Sequence, residues 1–202
     1  ERARAFTTAG YNSSIALAHR LAKRFDFSRF NRWLDFAGGS GCYAIAACER
    51  HEGVNVIVKD HPNVIPVTRE FVGNHKLTDR IEAEPGDFLK QSDYATDCDL
   101  ISFITPLHWY LEDDVMKALS YAYDALPSGG TCLIVGYMLN ENRDGPIDPV
   151  FYHVQAIRDG HFTGHVPSGP EYAAYLERAG FKDAEYSWLL PNRLGQIEAR
   201  KP

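Results

Sequence analysis

The sequence predicts an α/β fold, a sandwich built around a mostly parallel sheet, and three observations carry the prediction. Strand-like apolar runs alternate with helix-like segments along most of the chain. One run, Asp99-Leu100-Ile101-Ser102-Phe103-Ile104, is almost wholly apolar, as expected of a strand covered on both faces. The last two strand-like runs are separated by only a short turn, which suits an antiparallel hairpin.

The elements follow in order. Ile15, Leu17, Ala18, Leu21, Ala22 and Phe25 recur at near-helical spacing, so residues 11–25 read as an amphipathic helix. Residues 32–36 form the first strand and residues 42–51 a helix. Residues 54–60 form the second strand, ending in Asp60-His61-Pro62. Pro62 and Pro66 favour a helix start and Gly73-Asn74 a stop, which gives a helix over 64–74. Residues 80–85 read as an edge-like third strand and 99–104 as the fourth. Glu112, Asp113 and Asp114 place acids at the positive end of a helix that runs to Leu126, where Pro127-Ser128-Gly129-Gly130 stops it. Residues 131–137 are the fifth strand. Residues 140–169, rich in Gly, Pro, Asn and Asp, read as an irregular, lid-like insertion. A helix over 170–179 ends at Gly180, and strands at 183–190 and 194–200 bring the total to seven.

Composition bounds the function. A chain of 202 residues suits one domain with one core. A net charge of -6 without a basic tract gives no footprint for nucleic acid. No apolar run is long enough to span a membrane, and no secretory signal pattern opens the chain. Cys42, Cys48, Cys98 and Cys132 include no CxxC pair and read as small buried hydrophobes in a reducing, cytoplasmic compartment. The first residue is Glu1, which leads us to expect a processed chain or a fragment.

Residues 34–41, Leu-Asp-Phe-Ala-Gly-Gly-Ser-Gly, are the most informative stretch. Strand, glycine turn and helix together bring backbone N–H groups close to a ligand, an approach that Gly38, Gly39 and Gly41 allow without a Cβ clash. Asp35 ahead of the turn would repel a pyrophosphate and attract a cationic ligand, so S-adenosylmethionine fits better than a dinucleotide. Ligands of such sheets bind beyond the carboxyl ends of the strands. That rule adds Asp60, placed 25 residues after Asp35 to accept two ribose hydroxyls, and Asp87 with Phe88 for an adenine. It also adds His108, after strand four, to meet a substrate proton. Structural roles compete at each position. The glycines could form a plain tight turn, Asp60 could cap a helix, Asp87 could shape a turn, and His108 could be a partly buried histidine satisfied by backbone. The acids at 112–114 serve the helix start, and Trp109 either packs or lines a substrate pocket.

These residues resemble the catalytic domain of the S-adenosylmethionine-dependent O-methyltransferases related to caffeic-acid and hydroxyindole methyltransferases. Residues 34–41 match that family's Asp-x-Gly-Gly-Gly-x-Gly, with Ala37 in place of the first glycine. Lys59-Asp60-His61-Pro62 matches its Asp-Leu-Pro segment, Gly86-Asp87-Phe88 its Gly-Asp-Met/Phe, and Ala179-Gly180-Phe181 its Ala-Gly-Phe. His108 through Pro127 follows its histidine-to-Ala-Leu-Pro stretch without a gap.

The resemblance implies a Rossmann-like class I methyltransferase sandwich, with residues 1–30 a connecting helix region and 31–202 the cofactor-binding domain. It implies S-adenosyl-L-methionine as cofactor, S-adenosyl-L-homocysteine as product and a small aromatic hydroxyl acceptor of secondary metabolism. His108 is then the general base, and Asp35, Gly38, Gly39, Gly41, Asp60, His61, Asp87 and Phe88 hold the cofactor. It further implies a homodimer in the full-length protein, through an N-terminal helical domain that these residues lack. The departures fall on the catalytic side. Trp109-Tyr110 replace Asp-Trp after the histidine, Gly136 and Val166 stand where acids support the base, and Ile104 stands where plant members have a lysine.

Other readings stay open. Some relatives of this fold methylate the carbon beside a 2-oxo acid's keto group with iron held by two histidines, and His161 or His165 would be the partner of His108. Gly39-Ser40-Gly41-Cys42-Tyr43-Ala44 formally fits a dinucleotide pattern, and a cofactor-binding relative without catalysis is the last alternative.

Overall fold

The computed structural model describes residues 1–158 and 166–202, except for the side chains of Gln155, Ala156 and Arg158. It contains a seven-stranded sheet in the order β3-β2-β1-β4-β5-β7-β6. The strands are β1 (Arg32–Phe36), β2 (Asn55–Asp60), β3 (Ile81–Pro85), β4 (Leu100–Ile104), β5 (Thr131–Tyr137), β6 (Lys182–Leu190) and β7 (Leu194–Arg200). The helices are α1 (Arg2–Arg24), α2 (Cys42–Arg50), α3 (Ile65–Asn74), α4 (Glu112–Ala125), α5 (Ile147–Arg158) and α6 (Gly169–Arg178). The α/β class, the mostly parallel sheet and the antiparallel end are as the sequence predicts. The apolar β4 is buried at every position and sits centrally in the strand order, while β3 lies at an edge.

The chain divides into two compact units, residues 1–101 and 102–202. In the first, β1, β2 and β3 pair in parallel, with Phe36 opposite Lys59 and Asp60 opposite Pro85. This register aligns the carboxyl ends of the three strands. Trp33, Leu34, Phe36, Val56 and Val58 are buried, and α1 packs against α2. Such burial of whole apolar side chains stabilises by about 1.5–3 kcal/mol each before entropy is counted. In the second unit, β7 pairs antiparallel with both β5 and β6. Helix α6 opens with a capping box in which Ser168 Oγ accepts the Glu171 N–H and Glu171 accepts the Ser168 N–H.

Two elements differ from the sequence reading. Helix α1 begins at Arg2 rather than near residue 11, although Phe6 in its first part is 72% exposed. The added turns carry Ala3, Ala5 and Ala9, so intrinsic helix propensity extends the element where no apolar stripe marks it. The segment 140–169, read as irregular, contains α5. Ile147, Val150, Phe151, Val154 and Ile157 have helical spacing, and Pro149 falls in the first turn, where a missing N–H costs no hydrogen bond. The glycines and prolines at its ends masked that period.

Candidate functional site

The glycine turn is assembled within residues 1–101 from three strand ends. Ala37 N–H donates to Lys59 O at 2.7 Å and Gly86 N–H to Asp60 O at 2.9 Å, so the segments after β1, β2 and β3 meet at one edge. Gly39 N–H donates to Asp60 Oδ2 at 2.8 Å, and Thr68 Oγ1, fully buried on α3, donates to Gly39 O at 2.6 Å. Thr68 was not a candidate from the sequence, since one threonine on a helix carries no motif.

The glycines have distinct reasons. A Cβ on Gly38 would come within 2.6 Å of Asp35 Oδ2 and 2.7 Å of Val58, a clash with what packs beneath. Gly39 has φ +57 and open space where its Cβ would be. Gly41, at φ +75, caps α2 and offers no side chain to the helix's first N–H groups. Ala37 takes the same left-handed backbone, φ 55, at a strain cost of about 1–2 kcal/mol that glycine there would escape.

Asp35 is fully buried and packs against Gly38 from beneath the turn. Asp60 Oδ1 accepts the His61 N–H at 2.7 Å while Oδ2 takes Gly39, which leaves each oxygen a further lone pair for a hydroxyl donor. His61 is exposed, and its carbonyl accepts the Val64 N–H at 2.9 Å ahead of α3. Asp87 Oδ1 accepts the Leu89 N–H at 2.9 Å in a local turn, and its own N–H donates to Asp93 Oδ2 at 2.8 Å. Phe88 is buried near Phe36, with ring centroids 6.4 Å apart, and its carbonyl accepts from Tyr94 Oη. The structure thus brings Asp35, Gly38, Gly39, Gly41 and Asp60 into direct contact, with Asp87 two residues beyond the paired end of β3.

His108 belongs to residues 102–202. After β4, Thr105 turns the chain with φ 69, an outlying conformation for a β-branched residue, held by its N–H to Val135 O at 2.7 Å. A single 3₁₀ turn, Leu107–Trp109, then carries the histidine. Its ring is 1% exposed and meets aromatic faces: Trp109 at 5.3 Å, Tyr137 at 5.2 Å and Tyr152 at 5.3 Å between centroids. Tyr137 and Tyr152 stack at 4.1 Å and 15°. Neither His108 nitrogen has a hydrogen-bond partner among the described residues, and neither does Nδ1 of His153 on α5. Burial, with a smaller repulsion from His153, pulls the His108 pKa down to about 3, so the imidazole is neutral at pH 7.

A Cβ at Gly136 would meet nothing within 4 Å, and Val166 is buried and apolar, so no carboxylate supports His108 from either position. His161 and His165 lie outside the described residues. Among the described residues no group of three or more His, Cys, Asp or Glu could hold a metal ion. The acids opening α4 have a structural role, since Glu112 Oε1 pairs with Arg178 at 2.6 Å. All four cysteines are free and buried. No helix among the described residues is long and apolar enough to cross a membrane.

Comparison with known proteins places this geometry. An O-methyltransferase domain matches residues 1–182. The chain is 31% identical over 180 residues to a 3-hydroxy-5-methyl-1-naphthoate 3-O-methyltransferase of Streptomyces sahachiroi, covering 89% of this chain and 51% of that protein. It is 29% identical over 175 residues to an L-tyrosine C(3)-methyltransferase of Streptomyces lavendulae, covering 84% of this chain and 46% of that one. The crystal structure of human N-acetylserotonin methyltransferase in complex with SAM superposes with a TM-score of 0.87 at 24% identity, over 98% of this chain and 55% of that chain. The chain spans about half the length of the curated relatives it matches.

Proposed function

From the premise that this chain belongs to the O-methyltransferase domain family, we propose that it is the catalytic part of an S-adenosylmethionine-dependent methyltransferase acting on a hydroxyl of a small aromatic acceptor. One observation carries the reading: the turn at Gly38–Gly41, fastened to Asp60 and Thr68, presents helix N–H groups and carboxylate lone pairs together at the carboxyl edge of β1, β2 and β3. These residues suit a cationic amino-acid nucleoside. Asp60 takes the ribose hydroxyls, the N-terminal end of α2 faces the carboxylate, and Asp35 adds negative potential for the cation. His61, Asp87 and Phe88 complete the adenosine side of this assignment. When bound, S-adenosylmethionine supplies an already activated methyl, so the protein's task is mainly alignment.

His108 takes the acceptor's hydroxyl proton. Its neutral form is present at every pH above about 3, which provides the base. Burial makes the imidazolium costly in the free protein. During transfer, however, one positive charge leaves the sulfonium as another forms on imidazole, so the net charge of the reacting groups is unchanged. The test is transfer of isotopically labelled methyl from S-adenosylmethionine to a panel of phenols by the full-length protein, read by mass spectrometry. Labelled ether product is expected, and its absence across the panel removes the reading.

The iron-dependent alternative, C-methylation of a 2-oxo acid, gains one observation: His153 on α5 brings a second imidazole into electrostatic range of His108. Metal analysis of the purified protein and chelator sensitivity of transfer separate the two chemistries. A cofactor-binding relative without catalysis would bind S-adenosylhomocysteine and transfer to no acceptor. The division into residues 1–30 as a connecting region and 31–202 as the binding domain, cytoplasmic location and a full-length homodimer belong to the same proposal.

A further inference from the structure

Within residues 102–202 a cleft of about 200 Å³ is lined by Tyr137, Asp148, Phe151, Tyr152 and Arg193. Its wall is the Tyr137–Tyr152 stack, whose rings both meet His108 near edge-on, at 82° and 72°. A planar aromatic ligand is matched to such a surface, since offset stacking and edge contacts add about 0.5–1.5 kcal/mol each to simple burial. Two opposite charges stand at the same cleft. Arg193 sits on the tight turn between β6 and β7, fixed by its N–H to Leu190 O at 3.1 Å next to Asn192 at φ 61. Asp148 comes from the first turn of α5. Neither side chain forms an ion pair or hydrogen bond among the described residues, although they line one cleft. Arg193 is also near enough to Tyr152 to counteract partly the burial that raises the tyrosine hydroxyl to about 12.

A guanidinium beside an aromatic wall, with no partner among the described residues, suits a carboxylate, because its planar fork matches two carboxylate oxygens. We propose that the acceptor is an aromatic carboxylic acid, its ring on Tyr137 and Tyr152 and its carboxylate on Arg193, so that Arg193 determines specificity. The inference rests on the methyl-transfer reading for its consequence but not for its binding step. The carboxylate could belong to a plain aromatic acid or to an aromatic amino acid, and Asp148 is the discriminating residue, since only an amino acid brings an ammonium for it to hold.

The test compares 4-hydroxyphenylacetate, its amide and L-tyrosine on the full-length protein with S-adenosylhomocysteine present, by calorimetric titration, and then follows labelled methyl transfer. The acid should bind about tenfold or more tightly than the amide, and Arg193→Gln should erase that difference while leaving the amide within about twofold. Raising the salt should narrow the gap in wild type, because the pair is solvent-accessible. Asp148→Asn should weaken L-tyrosine alone if the natural ligand is an amino acid, and should leave L-tyrosine unaffected as well if it is a plain acid. Equal affinity for acid and amide in wild type, or a preference unaffected by Arg193→Gln, overturns the inference. Transfer to acid and amide alike would sink the Arg193 site and leave the methyltransferase reading intact. Arg193-dependent binding without any transfer would do the reverse.

Discussion

The two halves of the chain solve different problems with different groups. Around the glycine turn in residues 1–101, the order is set by backbone geometry: Gly39 N–H and C=O are both bonded, Asp60 accepts twice, and the strand register holds the edges together. Around His108 in residues 102–202 the surroundings are aromatic rings, and the buried imidazole nitrogens have no partner among the described residues. An unmet buried polar group costs about 1–3 kcal/mol. The contrast teaches that the polar groups of the first region are already fastened to one another, while around His108 buried polar groups stay unmet among the described residues.

The largest expected effect lies on the aromatic side. His108→Ala should lower turnover about 10²–10⁴-fold with S-adenosylhomocysteine affinity unchanged, as steady-state rates and calorimetry would show. An unaltered rate takes His108 out of the chemistry. On the other side, Asp60→Ala should weaken S-adenosylhomocysteine about 10–100-fold through lost charge-assisted hydrogen bonds. If it lowers turnover but not affinity, the two regions have been assigned the wrong way round.

His108 also sharpens the contrast through pH. Its folded pKa lies below the ordinary 6.5, at about 3, so between those values the unfolded chain binds a proton that the folded one refuses. Stability from this group is complete above pH 6.5 and is lost as pH falls toward 3. Denaturant midpoints for wild type should therefore drop from pH 7 to pH 4.5 by more than those of His108→Phe. Equal drops mean the imidazole is not buried as the structure has it. The smallest effect tests the turn itself: Ala37→Gly should relieve left-handed strain and raise stability by up to about 1 kcal/mol in chemical denaturation. A loss of stability there would show that chain entropy outweighs the strain.

Much of the first region was legible in the sequence because its geometry is written in backbone requirements. Three glycines after an apolar strand, with acids at the following strand ends, admit few geometries. The chain could not reveal that Asp60 also fastens Gly39, or that Thr68 holds the turn from α3, since those bonds cross 21 and 29 residues with no periodic signal. The second region was less legible. His108 stood out at a strand mouth, but its aromatic enclosure depends on Tyr152 from α5, an element hidden by flanking Gly and Pro. Arg193 lies in a turn where sequence patterns favour no chemistry.

The most direct measurement is calorimetric titration of the full-length protein with S-adenosylhomocysteine, repeated on Asp60→Ala and His108→Ala. The account predicts saturable heat for wild type and His108→Ala alike, and a strong loss for Asp60→Ala. No heat with wild type, or full binding by Asp60→Ala, contradicts a cofactor site built on the glycine turn.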